Sequence, residues 1–222
     1  MAKKVQKEEN VEVQEALTKS GQWIIANQNL LMWCLCGIIA VILAVLAFNN
    51  YYLKPKAAAA SDEIAKAVVY FAADNYETAL NGDEADCIGF EAIADEYGIT
   101  KPGKLAALYA GICYYNLGDY ESAVKYLKKY TANDLNIAPA AAMKTGDALA
   151  QMGETEQAIR YFEKAAKSDN ELLAPMALKK AGIAYMSIEN NKAANKAFVT
   201  IREKYPQSSE AQDVEKYIAL TK

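Results

Sequence analysis

The chain has 222 residues, of which 53% are hydrophobic and 23% charged, and its net charge is −4. That length carries one or two domains, and the apolar fraction suits a packed core rather than a disordered chain. The acidic balance disfavours nucleic acid as a partner; the absence of His removes imidazole catalysis and His-ligated metals, and four Cys without a C-x-x-C pair remove a zinc ribbon or thioredoxin-type motif.

The composition changes abruptly at Leu30. Residues 30–48, LLMWCLCGIIAVILAVLAF, carry no charge. As a helix this stretch spans about 28 Å, close to the hydrocarbon thickness of a bilayer. Trp33 near one end, and Tyr51 and Tyr52 beyond the other, stand where aromatic residues anchor a span at the interfaces. The small residues 57–60 suit a signal peptidase, but the apolar stretch is longer than a signal peptide's core of about 7–15 residues and follows a long tail. The expectation is an uncleaved, single-pass transmembrane helix at 30–48, after a tail at 1–29 and before a linker at 49–60. Lys3, Lys4, Lys7 and Lys19 before the span, against Lys54, Lys56 and Lys66 after it, lean weakly to an N-terminus in the cytoplasm.

Residues 61–98 read as a degenerate helical hairpin. Ser61, Asp62 and Glu63 resemble a helix start, and Phe90, Ile93 and Tyr97 share one face of a second helix that ends at Gly98. Three clearer lines follow. In each, a Gly (Gly111, Gly146, Gly182) precedes by twelve residues an Ala (Ala123, Ala158, Ala194), and four residues later comes Leu127, Phe162 or Phe198. The steps between the glycines are 35 and 36 residues. The small residues let two helices approach closely, and the large residue is expected to fill the space between repeats. Gly118 and Gly153 fall where the first helix of a hairpin must stop, Pro139 and Pro175 in first turns, and Pro206 after the last hairpin. Ser209 and Gln212 form a capping box opening a terminal helix with Ala211, Val214 and Ile218 on its apolar stripe. Cys87 and Cys113 are expected to be neighbours across a turn near residue 100, either as a disulfide or as two buried thiols.

Over residues 105–206 this pattern resembles the tetratricopeptide repeat, with departures: no Trp opens a repeat, and Glu189 stands where the last turn would have Gly. The resemblance implies an all-α solenoid of helical hairpins at 61–222, about four repeats and a capping helix, preceded by the single transmembrane helix. It implies a concave face built from the first helix of each repeat. On it would lie Leu105, Leu108, Ile112 and Tyr115, then Met143, Asp147 and Ala150, then Met176, Lys179, Ile183 and Met186. Flexible methionines on such a face suit apolar protein partners of varied shape. The other reading makes the stripe ordinary core or places it under the capping helix.

The order of parts is similar to the ancillary membrane subunit of the bacterial Sec translocon. The tail, from Glu9-Asn10-Val11-Glu12 to Ile24-Ile25-Ala26-Asn27, looks like that family's short amphipathic entry segment. That resemblance implies an inner (cytoplasmic) membrane location, repeats in the periplasm, and a translocon or periplasmic folding factor as partner. No nucleophile with a base and no paired carboxylates stand out, so no enzyme, cofactor or metal is expected. The functional expectation is a membrane-anchored adaptor for protein partners; a self-associating scaffold and a cytoplasm-facing adaptor are the alternatives.

Overall fold

The computed structural model describes residues 21, 23–83, 85–132, 134–168 and 170–222. The tail before residue 21, with most of the expected entry segment, lies outside the described residues. The chain divides into two units, Met1–Lys54 and Pro55–Lys222.

In the first unit, helix α1 (Gln28–Phe48) contains the whole apolar stretch, and none of its residues is buried. Without a polar face to turn to water, it exposes Leu, Ile, Val and Phe on every side. A π-helical turn follows at Asn49–Leu53. The stretch read as a linker is therefore helical, because helix α2 (Lys54–Ala72) takes over directly. Ser61 is no helix start. It sits inside α2, with its hydroxyl donating back to the Ala57 carbonyl at 2.9 Å, the side-chain-to-backbone bond that Ser forms within a helix.

The second unit is all helix among its described residues. After α2 come α3 (Tyr76–Asn81), α4 (Gly89–Glu96), α5 (Lys101–Asn116), α6 (Tyr120–Leu127), α7 (Ile137–Gln151), α8 (Thr155–Ala166), α9 (Leu173–Ser187) and α10 (Asn191–Lys204). A 3₁₀ turn (Ser209–Gln212) and α11 (Val214–Leu220) close it. Three hairpins, α5–α6, α7–α8 and α9–α10, stack in order. In the hairpin before them the second helix is broken into α3 and α4 by a loop. There Gly82 and Gly89 hold φ of 88° and 78°, and Cβ atoms would fall 2.2 Å from the Cys87 carbonyl and 2.3 Å from that of Leu80. Only glycine fits. The Asp83 carboxylate accepts from the N–H groups of Ala85, Asp86 and Cys87, which fixes the loop.

The small-residue pattern has a direct cause. A Cβ at Gly146 or Gly182 would fall 2.5 Å from the ring of Phe162 or Phe198, and one at Gly111 would fall 2.6 Å from Leu127. The large residue thus seats on the glycine of its own hairpin, and not only in the space between repeats as expected. The hairpin turns share one design. Asp119, Glu154 and Asn190 N–H groups bond back to Tyr114, Leu149 and Tyr185 carbonyls, and Asn75 does so to Tyr70. The residue before each, Asp74, Gly118, Gly153 or Glu189, is left-handed. These are Schellman ends, which satisfy the last carbonyls of a helix. Side chains of Asn75, Asp119 and Asn190 then cap the next helix.

Two sequence expectations are displaced. Ser208, not Ser209, is the N-cap at the end of the chain, its Oγ accepting from Ala211 N–H at 3.3 Å. The segment it caps is a 3₁₀ turn, with α11 beginning separately at Val214. Cys87 lies in the loop before α4 rather than on a helix, though it shares one buried cluster with Cys113. Both thiols are free, and burial pushes the Cys113 thiol up to about 12.

Candidate functional site

The expected stripe divides into three parts by surroundings. Leu108 and Met143 are each only 7% exposed and belong to the packing between repeats. Leu105, Ile112 and Tyr115 are half-buried against the cluster that joins α5, α6, α7 and α8. Ile183 keeps 45% of its surface, and Ala150 is exposed.

The capping segment reaches the third part. Lys179 Nζ donates to both Asp213 oxygens, at 2.8 and 3.0 Å, and Met186 packs on the cluster formed by Phe198, Val214 and Ile218. Met176 packs on Ala142, Met143 and Ala177. Asp147 is bound to Lys180 at 2.8 Å, and Lys144 lies over the Tyr115 ring, 4.2 Å from its centroid. Burial, with the Asp147 charge behind it, raises the Tyr115 hydroxyl above its ordinary range. The face is consequently mixed: apolar patches around Ile112 and Ile183, separated by paired charges at Asp147–Lys180.

Sequence reasoning missed a second concave feature. Helix α6 has eight residues, whereas α8 has 12 and α10 has 14. Its early stop opens a cleft of about 630 Å³ between the end of α6, the floor of α7 and the outer side of α8. Pro139, Ala141, Ala142 and Thr145 form the floor, and Lys128, Lys164 and Lys167 stand around it. The Thr145 hydroxyl donates to the Ala141 carbonyl at 2.8 Å and so leaves the floor apolar. Asp134, also at the cleft, accepts from Tyr130 Oη at 2.8 Å and from the N–H groups of Asn136, Ile137 and Ala138. Burial alone would raise the Asp134 carboxyl, but the Tyr130 hydroxyl and these backbone donors outweigh it and hold the group below its ordinary range. The available signal was Lys128-Lys129-Tyr130 directly after a short apolar period.

Among the described residues no group of three His, Cys, Asp or Glu could hold a metal. Stacked hairpins with a face of this kind define a helical-repeat scaffold of the tetratricopeptide type. Residues 110–172 and 143–209 match the family model for the tetratricopeptide repeat. A solved structure, the C-terminal part of a tetratricopeptide repeat-containing protein from Cytophaga hutchinsonii, is 16% identical with a TM-score of 0.37, covering 71% of this chain and 78% of that one. No curated protein matches the chain.

Proposed function

We propose that this protein is a membrane-anchored adaptor that holds protein partners on the concave face of its repeats. The observation that carries this reading is the face itself, where the Ile183 side chain stays 45% exposed beside the half-buried Met176 and Met186. Exposed apolar patches rimmed by polar groups mark interaction surfaces. Nothing on that face pairs a nucleophile with a base, so the reading is binding rather than catalysis.

The anchor is residues 30–48, joined by 49–60 to the repeat domain at 61–222, with 1–29 as a tail. Its support is an apolar helix whose mean hydropathy reaches 2.9 with none of that window buried. An apolar helix that no described residue of the chain covers is suited to a lipid surrounding. The order of parts resembles the Sec ancillary subunit and favours repeats on the periplasmic side of the inner membrane, serving a translocon or a periplasmic folding factor.

Two experiments test the reading. Protease added to intact spheroplasts digests extracytoplasmic repeats; full protection there makes the protein a cytoplasm-facing adaptor. Crosslinking in native membranes, followed by affinity purification, compares the wild type with Ile183→Asp and Ile112→Asp. Loss of captured partners with unchanged helical circular dichroism supports the groove. Undiminished capture by both variants defeats it, and concentration-dependent oligomers without other partners point to a self-associating scaffold.

A further inference from the structure

The cleft left by the short α6 shares no residue with the concave stripe, so it is a separate surface. Its character is set by charge. Between Ala57 and Lys222 the chain carries 18 Lys and Arg against 24 Asp and Glu, yet this cleft is edged by Lys128, Lys164 and Lys167. Asp134, the only carboxylate among its described lining residues, faces the first turn of α7 and the Tyr130 hydroxyl. Its charge is thereby spent on the helix N-terminus, where anions are favoured. Among the described residues no carboxylate is paired with Lys128, Lys164 or Lys167, and the contact made there by Lys128 is to the face of Tyr161, 5.7 Å from the ring centroid.

The floor narrows the chemistry further. Pro139, Ala141 and Ala142 are small and largely buried, so the floor of the cleft is apolar and carries no long side chain of its own at these positions. No Arg is among the described residues lining the cleft, so the planar fork that grips phosphate in two places is missing from them. The N–H groups at the start of α7, the other usual phosphate donors, already bond to Asp134. Point charges around a small apolar seat suit flexible carboxylates flanking an aliphatic residue. A volume of about 630 Å³ holds a few residues of chain.

We propose that the cleft between α6 and α8 binds an acidic peptide segment of a partner protein, with carboxylates on Lys128, Lys164 and Lys167 and one aliphatic side chain on the α7 floor. The site lies between α6 and α8, the second helices of two successive hairpins, and works independently of the concave face, so a partner can be held at both.

The test uses the full chain in a non-ionic detergent and fluorescence polarisation of labelled pentapeptides. Glu-Glu-Leu-Glu-Glu binds saturably, Lys-Lys-Leu-Lys-Lys does not, and binding weakens as salt screens the lysines. The triple variant Lys128→Glu, Lys164→Glu, Lys167→Glu weakens binding at least about tenfold, while Ile183→Asp leaves it unchanged. If the triple Glu variant fails to fold, the triple Gln variant is read instead and shows a smaller loss. The proposal is overturned by absence of saturable binding, by equal binding to the wild type and the folded lysine variant, or by phosphatidylglycerol vesicles displacing the peptide as the preferred ligand.

Discussion

Lys180 Nζ lies 2.8 Å from Asp147 Oδ1, an ion pair between side chains 33 residues apart. That separation is close to one repeat, and other polar ties follow the same spacing. Tyr126 bonds to Glu91 across 35 residues, Lys129 to Asp95 across 34, and Asn170 to the Leu135 carbonyl across 35. Each links a helix or loop to its counterpart one hairpin earlier, so neighbouring repeats are joined by polar contacts as well as by apolar packing. Solenoid stability is the sum of repeat and interface contributions, and these contacts belong to the second kind.

The Asp147–Lys180 contact should show as coupling. In a double-mutant cycle of Asp147→Ala and Lys180→Ala, followed by denaturant unfolding, the interaction is expected at about 0.5 kcal/mol, because both side chains keep some solvent contact. Additive single effects would mean the pair is held by its neighbours without contributing to the interface.

The left-handed turns give a paired prediction. Gly118 and Gly153 have φ of 85° and 78° and open space around them. Gly118→Ala and Gly153→Ala therefore lose about 1–2 kcal/mol from backbone strain alone. Glu189 adopts φ of 59° with a side chain present. Glu189→Gly should be neutral or raise stability by up to about 1 kcal/mol, since the relieved strain competes with added chain entropy. Thermal melts of the three variants decide it, and a clear loss for Glu189→Gly would contradict the strained turn.

Crowding at the helix crossings is a different mechanism with a different signature. Gly146→Ala drives a methyl into the Phe162 ring, 2.5 Å away, and is expected to cost about 1–3 kcal/mol. Combining it with Phe162→Leu should cost less than the two changes added, because the smaller side chain relieves the overlap. Simple additivity in urea titrations would place the strain elsewhere.

Alkaline pH probes the half-buried tyrosines Tyr130 and Tyr185. Burial, aided by hydrogen bonds to Asp134 and Glu163, pushes the Tyr130 and Tyr185 hydroxyls above the ordinary phenol range, up to about 12. A raised folded-state pKa means the unfolded chain releases these protons first. The associated stability is present below pH 10 and declines as pH rises from about 10 to 12. Tyr130→Phe and Tyr185→Phe should each flatten that decline in urea midpoints measured across the range. An unchanged slope in both would show that other groups control alkaline unfolding.

Helix periodicity and small-residue spacing are local properties, and they made much of this fold readable in advance. The triplets beginning at Gly111, Gly146 and Gly182 place the hairpins because a close helix crossing tolerates nothing larger, and that demand repeats with the chain. The uncharged run from Leu30 was equally plain, since no amphipathic helix lacks a polar face for so long. The tertiary structure decided what covers what. It put Leu108 and Met143 inside the stack, brought Asp213 to Lys179, and left Ile183 open, although Leu108, Met143, Lys179 and Ile183 were drawn on one stripe. It also carried one continuous helix through Ser61, where a cap-like sequence stood beside an alanine run that favours helix on both sides. The cleft beside α7 arose because α6 stops after Leu127. Its lysines lie on different elements, and only the packing of those elements brings them together.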